Sequence, residues 1–192
     1  VLVPVIAFIT AAGAVRDDMK STSVDYVLTR PIRRPAFIAF KYLSHVACSQ
    51  VDFLAAFAVV IGLGVFRDIP GLASALPRLL LAQVFVVAAF SALGFLAGAI
   101  TGRYTFVGIA YGAIIEVGVG QIPTQLSKLS MTAQVRAMLR PLTESPEALA
   151  AATDPQTSVA ATLALLLVFA LVMVVATAGI FSARELSAPN EA

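Results

Sequence analysis

Five apolar stretches, at residues 1–15, 46–66, 79–100, 106–122 and 158–182, set the terms for any fold of this chain. A helix crossing the hydrocarbon core of a bilayer needs about 20 mostly apolar residues, and several of the five approach that length. Hydrophobic residues make up 59% of the 192 positions and charged residues 12%, with a mean hydropathy of +0.93; a soluble domain carries about twice that charge. The expected class is therefore all-α, a polytopic membrane helical bundle forming a single transmembrane domain over residues 1–192. The first tract is short and starts without an initiating Met, so a further span upstream is expected. A signal peptide would want a basic start and a small-residue cleavage site, and a tract ending in Arg16-Asp17-Asp18 supplies neither.

Orientation follows from Lys and Arg in the short connections. Residues 16–41 carry Arg16, Lys20, Arg30, Arg33, Arg34 and Lys41, whereas 67–78 carry only Arg67 and Arg78. The first connection, a loop over about 16–45, is thus cytoplasmic. Alternation puts 67–78 outside, 101–105 inside, 123–157 outside and the tail from Ala183 inside. A net charge of +2 with its basic residues concentrated in one segment does not suit nucleic acid. The single cysteine, Cys48, excludes an internal disulfide, and one Cys with one His makes a Cys/His metal site improbable.

Both long connections are patterned. In the cytoplasmic one, Asp17 and Asp18 place negative charge where a helix N-terminus favours it. Thr22 with Asp25 has the form of a capping box, and Val24, Val27 and Leu28 recur on one face. Arg30-Pro31 ends the pattern, so the spacing predicts a short amphipathic helix over about 18–29. Such a helix either lies on anionic head groups or docks a cytoplasmic partner. In the outer connection, Met131, Val135, Met138, Leu139 and Leu142 fall at helical spacing until Pro141. Ser145-Pro146-Glu147 then opens a second short helix reaching about Thr153.

Ionisable groups within spans are costly and mark protein-facing or water-facing positions. Glu116 is the first, in the stripe Gly108, Gly112, Glu116, Gly120, each four apart. Small residues at this spacing let helices approach closely. The carboxylate is expected to face a neighbouring helix, as a packing or hydrogen-bonded group rather than a proton or cation relay, because no second mid-membrane acid stands ready to relay with it. Gly94, Gly98 and Gly102 repeat the stripe in the preceding span, so those two helices are expected to pack tightly on each other. Asp52 is the second, early in its span and within reach of the cytoplasmic face. Lys41, His45, Ser49 and Asp52 are spaced by four, four and three along one helical face, either a snorkelling anchor or the mouth of a pathway.

No GxxxxGK[ST] loop, HExxH or GxSxG motif is present, and His45 has no arguable nucleophile to activate. No catalytic, cofactor-binding or metal-ligating residues are expected.

The order of span, STSVDYVLTRPIRRPAFIAFKYL and span resembles the ABC transporter permeases of the ABC-2 type. Their first cytoplasmic loop carries a charged start, Ser-Gly-Thr, a Leu-Glu-Tyr-Leu-Leu-like run, Ser-Arg-Pro, a second Arg and a Gly-Lys entering the next span. Ser21, Tyr26, Leu28, Arg30, Pro31, Arg34 and Lys41 match that pattern; Asp25, Thr22, Ser23 and Phe40 replace its Glu, Gly, Thr and Gly. The resemblance extends over nearly the whole chain, including two short external helices before the last span and Glu116 in the penultimate one, followed by Ile122-Pro123 and a Leu-Ser pair at Leu129-Ser130.

The resemblance implies six spans, five of them visible, with both termini cytoplasmic in a multi-pass protein of the cytoplasmic membrane. It implies two permease subunits, as a homo- or heterodimer, and cytoplasmic ATP-binding subunits that carry the ATP and Mg²⁺. The helix at about 18–29 becomes the coupling helix, with Ser21, Asp25, Tyr26, Leu28, Arg30, Pro31 and Arg34 docking the ATPase. The function implied is export driven by ATP hydrolysis on another chain. An ion- or proton-coupled secondary transporter, using Glu116 or Asp52, and a non-transporting assembly subunit are the alternatives. With no Trp and four Tyr, no aromatic row for sugars is visible, and an apolar or amphiphilic substrate is preferred.

Overall fold

The computed structural model of the chain describes residues 2–18, 34–118, 130–143 and 159–183. Among them run α1 (Leu2–Asp18), α2 (Arg34–Phe66), α3 (Leu72–Ile100) and α4 (Tyr104–Tyr111), which continues directly into a π-helical segment, Gly112–Gly118. Then come α5 (Met131–Thr143) and α6 (Val159–Ala183). No strand occurs among the described residues, and the fold is an all-α membrane helical bundle. α2, α3 and α6 are each long and apolar enough to cross a bilayer.

Two helices start earlier than the apolar runs that signal them. α2 takes in residues 34–45, which their charge assigned to the loop. Pro35 sits in its first turn, where a missing N–H costs nothing. Its 33 residues rise about 50 Å against a hydrocarbon core of about 30 Å, so the Lys41 end has room to stand clear of the lipid tails. α3 begins at Leu72 and carries Pro77 and Arg78 within the helix. α2 closes in a Schellman arrangement: Ile69 N donates to Gly64 O at 3.2 Å and Asp68 N to Val65 O at 3.0 Å. Asp68 takes the left-handed conformation (φ 50°), and Gly71 (φ 79°) reverses the chain into α3. α5 runs on past Pro141 to Thr143, because a proline in a last turn cuts short a helix already formed rather than preventing it.

α3 is the central helix. Over its most apolar window 56% of residues are buried, against 6% for α2 and 11% for α6, so the other two spans lie at the periphery of this chain. Two side chains of α2 reach α3 backbone carbonyls: Tyr42 Oη donates to Ala88 O at 2.9 Å and Gln50 Nε2 to Val84 O at 2.8 Å. Hydrogen bonds of this kind hold helices together where lipid leaves little hydrophobic driving force between them. Phe95 is fully buried, met edge-on by Tyr42 (centroids 5.5 Å apart) and at a tilt by His45.

The tightest seam joins α1 to α3. Ala7, Ala11 and Ala12 of α1 are wholly buried, and α3 meets them with its glycine stripe. A Cβ on Gly94 would fall on the Phe8 carbonyl oxygen and within 2.9 Å of Ala11 Cβ; one on Gly98 would fall on the Ala12 carbonyl oxygen. The sequence pattern paired this stripe with Gly108 and Gly112 on the following helix. Instead Gly94 and Gly98 meet α1, and of the second row only Gly108 does so, a Cβ there striking the Phe8 ring, while Gly112 has open space beside it. The alanine face of α1 lets backbones approach closely, as small residues do in membranes; α4 presents Phe106 and Ile109 outward instead.

Gly98→Ala should therefore destabilise the bundle despite better helix propensity, since overpacking costs about 1–3 kcal/mol against about 1 kcal/mol gained. Gly112→Ala should leave Tm unchanged or slightly raised. Thermal unfolding of the two purified variants compares them, and equal Tm values would remove the close α1–α3 approach.

Candidate functional site

The π-helical segment decides where Glu116 points. A π turn closes i→i+5 bonds and takes in more residues than an α turn, so positions beyond Gly112 rotate off the Gly108–Gly112 row. Glu116 is carried to the N-terminus of α5, where the first backbone N–H groups of a helix lack intrahelical partners.

The fit between them is complete. Glu116 Oε1 accepts from Met131 N at 3.1 Å, and Oε2 accepts from Thr132 N at 3.0 Å and from Ser130 Oγ at 2.7 Å. The Thr132 hydroxyl also donates to Oε2. Ser130 is the N-cap: its Oγ accepts from Ala133 N at 3.0 Å, and its carbonyl takes Gln134 N at 3.2 Å as the first bond of the helix. The free amides at the first three positions of α5 are thus all engaged, two by a carboxylate from another element. Every partner is a donor, the complement of an acceptor-only carboxylate, and the positive end of the α5 dipole adds to the attraction. Ser130 and Met131 are buried, so these bonds are shielded from competing water.

Beside this cap lies a pocket of about 570 Å³ between α1, α3, α4 and α5, within the roughly 300–1,000 Å³ usual for small-molecule sites. Phe8 and Ile9 of α1, Phe90 of α3 and Ile109 of α4 supply apolar wall, while Glu116, Thr132 and Arg136 bring polar atoms to one end. The open space beside Gly112 belongs to this pocket. Tyr111, its ring edge-on to Phe90 at 6.5 Å, adds to the pocket wall a buried hydroxyl with no hydrogen-bond partner among the described residues.

The remaining singled-out residues fall elsewhere. Along the Lys41-His45-Ser49-Asp52 row, Ser49 is buried and meets His45 Nε2 at 3.3 Å; Asp52 is exposed on the outside of α2. The row therefore divides, its middle turned to α3 and its deep end turned away. Ser21, Asp25, Tyr26, Leu28, Arg30 and Pro31 lie outside the described residues, as does the second outer helix expected from Ser145. Arg34 is the first residue of α2. Ser130 and Thr132 were not among the expected site residues, although a serine directly before a helically spaced apolar run is an N-cap signal.

The profile of a family described as ABC-2 family transporter protein matches residues 1–186, nearly the full chain. Comparison with curated proteins and with solved structures finds no match.

Proposed function

Because the chain belongs to the ABC-2 family of transporter proteins, and is a multi-pass membrane subunit of an ABC transporter, we propose that it is the permease of an exporter whose ATP is hydrolysed by a separate cytoplasmic chain. Family membrane subunits generally pair with such an ATP-binding subunit. In this reading a second permease subunit completes the pathway, ATP and Mg²⁺ reside on the partner ATPase, and the assembly sits in the cytoplasmic membrane.

The observation that carries the mechanism is the seating of α1 and α2 on one central helix. The basic segment between Asp18 and Arg34 connects these two helices, and both pack on α3, α1 through the glycine seam and α2 through Tyr42 and Gln50. A displacement of that segment by a closing ATPase therefore pulls on α1 and α2 together, and the close-packed seam passes it to α3 rather than absorbing it. α1 and α3 also form walls of the pocket, so the same movement changes the pocket's shape. Its mostly apolar walls suit an apolar or amphiphilic substrate. The engagement of Glu116 by four donors at the α5 N-terminus favours an anchoring role over a proton relay.

Gentle extraction from the native cell and affinity capture of this chain test the assignment. The expected result is a roughly equal amount of a soluble Walker-type ATPase. Recovery of the chain without an ATPase, in a form that still moves substrate down an ion gradient, would overturn it.

A further inference from the structure

The two carboxylates in the membrane-spanning part of this chain have opposite surroundings. Glu116 is surrounded by donors, whereas Asp52 has no hydrogen bond or ion pair among the described residues and stands exposed on α2. From its position, Lys41 lies about 16 Å back along the helix and Arg67 about 22 Å ahead, with no other Lys, Arg, Asp or Glu between those two. Although its place early in the span suggests reach of the cytoplasmic face, Asp52 stands six residues past the start of the 46–66 apolar run, about 9 Å along the helix, which is farther than a short aspartate side chain extends by snorkelling. Around it the surface is apolar: Val51 is 69% exposed and Val59 64%, and Cys48, one turn earlier on the same flank, is exposed too.

We propose that this flank of α2 is an interaction surface for a transmembrane helix of a different polypeptide, one that presents a basic side chain at the depth of Asp52. An acceptor-only carboxylate in lipid needs donors, and a cation supplies both hydrogen bonds and charge balance. A second copy of this chain does not meet that need. A two-fold interface pairs residue i of one copy with residue j of the other, so a second copy would have to offer Asp52 a cation of this same chain at the same depth. The described residues of a second copy hold no cation at matching depth: Arg16, Arg34, Lys41, Arg67, Arg78, Arg103, Arg136 and Arg140 lie in the connections, in the outer helix or toward the ends of spans.

Cys48, the chain's one cysteine, provides the probe. The full chain in native membranes is labelled there with a thiol-reactive photocrosslinker and irradiated, and the adducts are identified by mass spectrometry. The expected adduct joins Cys48 to a transmembrane segment of a different protein carrying a Lys or Arg near the crosslinked position. Asp52→Leu should lower its yield about tenfold or more, with the isosteric Asp52→Asn also reducing it. Asp52→Lys should abolish it, and a basic-to-Asp change in the captured helix should restore it. An adduct of twice the chain's mass, an adduct internal to the chain, or lipid adducts alone would each overturn the proposal. So would an adduct whose yield ignores all three Asp52 variants. Co-purified ATPase, measured in the same samples, reports on the permease assignment independently.

Discussion

Replacing Tyr26 and Arg30 together by Ala should leave the chain inserted at normal levels while transport falls about tenfold or more and the co-purified ATPase is depleted. A docking contact built on an aromatic and an arginine concentrates binding energy in those two side chains, since Tyr and Arg dominate interface hot spots at about 2 kcal/mol or more each. Both belong to the segment joining α1 to α2, and neither is among the residues that build the α1–α3 seam or line the pocket. Bundle stability should therefore be untouched, and Tm of the double variant should equal that of the native protein. Transport assayed in vesicles alongside ATP hydrolysis separates the cases. Unchanged transport at normal expression would remove the coupling role from this segment.

Glu116→Ala should be the most damaging change within the membrane part. It strips the N-terminus of α5 of its carboxylate and leaves Met131 N, Thr132 N and two hydroxyls without that acceptor. Each unsatisfied buried donor costs about 1–3 kcal/mol. With water entering the space vacated beside the pocket, a net loss of about 2–5 kcal/mol is expected. Glu116→Gln keeps one acceptor oxygen but turns an amide donor toward other donors, so it should fall between the native chain and Ala. A proton relay predicts a different order: Gln would abolish transport while leaving Tm alone. Thermal unfolding and transport measured on the same three proteins tell the two roles apart. Loss of transport in Glu116→Gln at native Tm would overturn the anchoring role.

Much of this protein is legible along the chain because lipid imposes a one-dimensional rule: a span must be a long apolar run, and helices must satisfy their own backbone. The apolar cores of α2, α3 and α6 follow directly from it. Their starts do not, because a helix longer than the bilayer continues through charged residues such as Lys41 and Arg78 once they can reach polar surroundings. The glycine stripe at Gly94 and Gly98 is visible as close-packing chemistry, but a stripe names no partner. Any alanine face can answer it, and α1 holds the better one with Ala7, Ala11 and Ala12.

Glu116 shows the same division more sharply. Its residue type and its place in a greasy helix announce a carboxylate that must find donors. Where it finds them depends on the π turn at Gly112–Gly118, which changes the angular step between residues. It depends equally on Ser130 and Thr132 arriving from beyond the span. Asp52 carries the same chemical demand in the sequence, and only the packing of α2 leaves that demand turned outward. Membrane insertion and helical class were thus determined by the sequence, since both follow from composition and spacing along the chain, and the family resemblance by the motif residues it carries. Which helix each glycine row meets, which donors take Glu116 and which way Asp52 faces were decided by tertiary structure alone, because they depend on the relative rotation of separate helices.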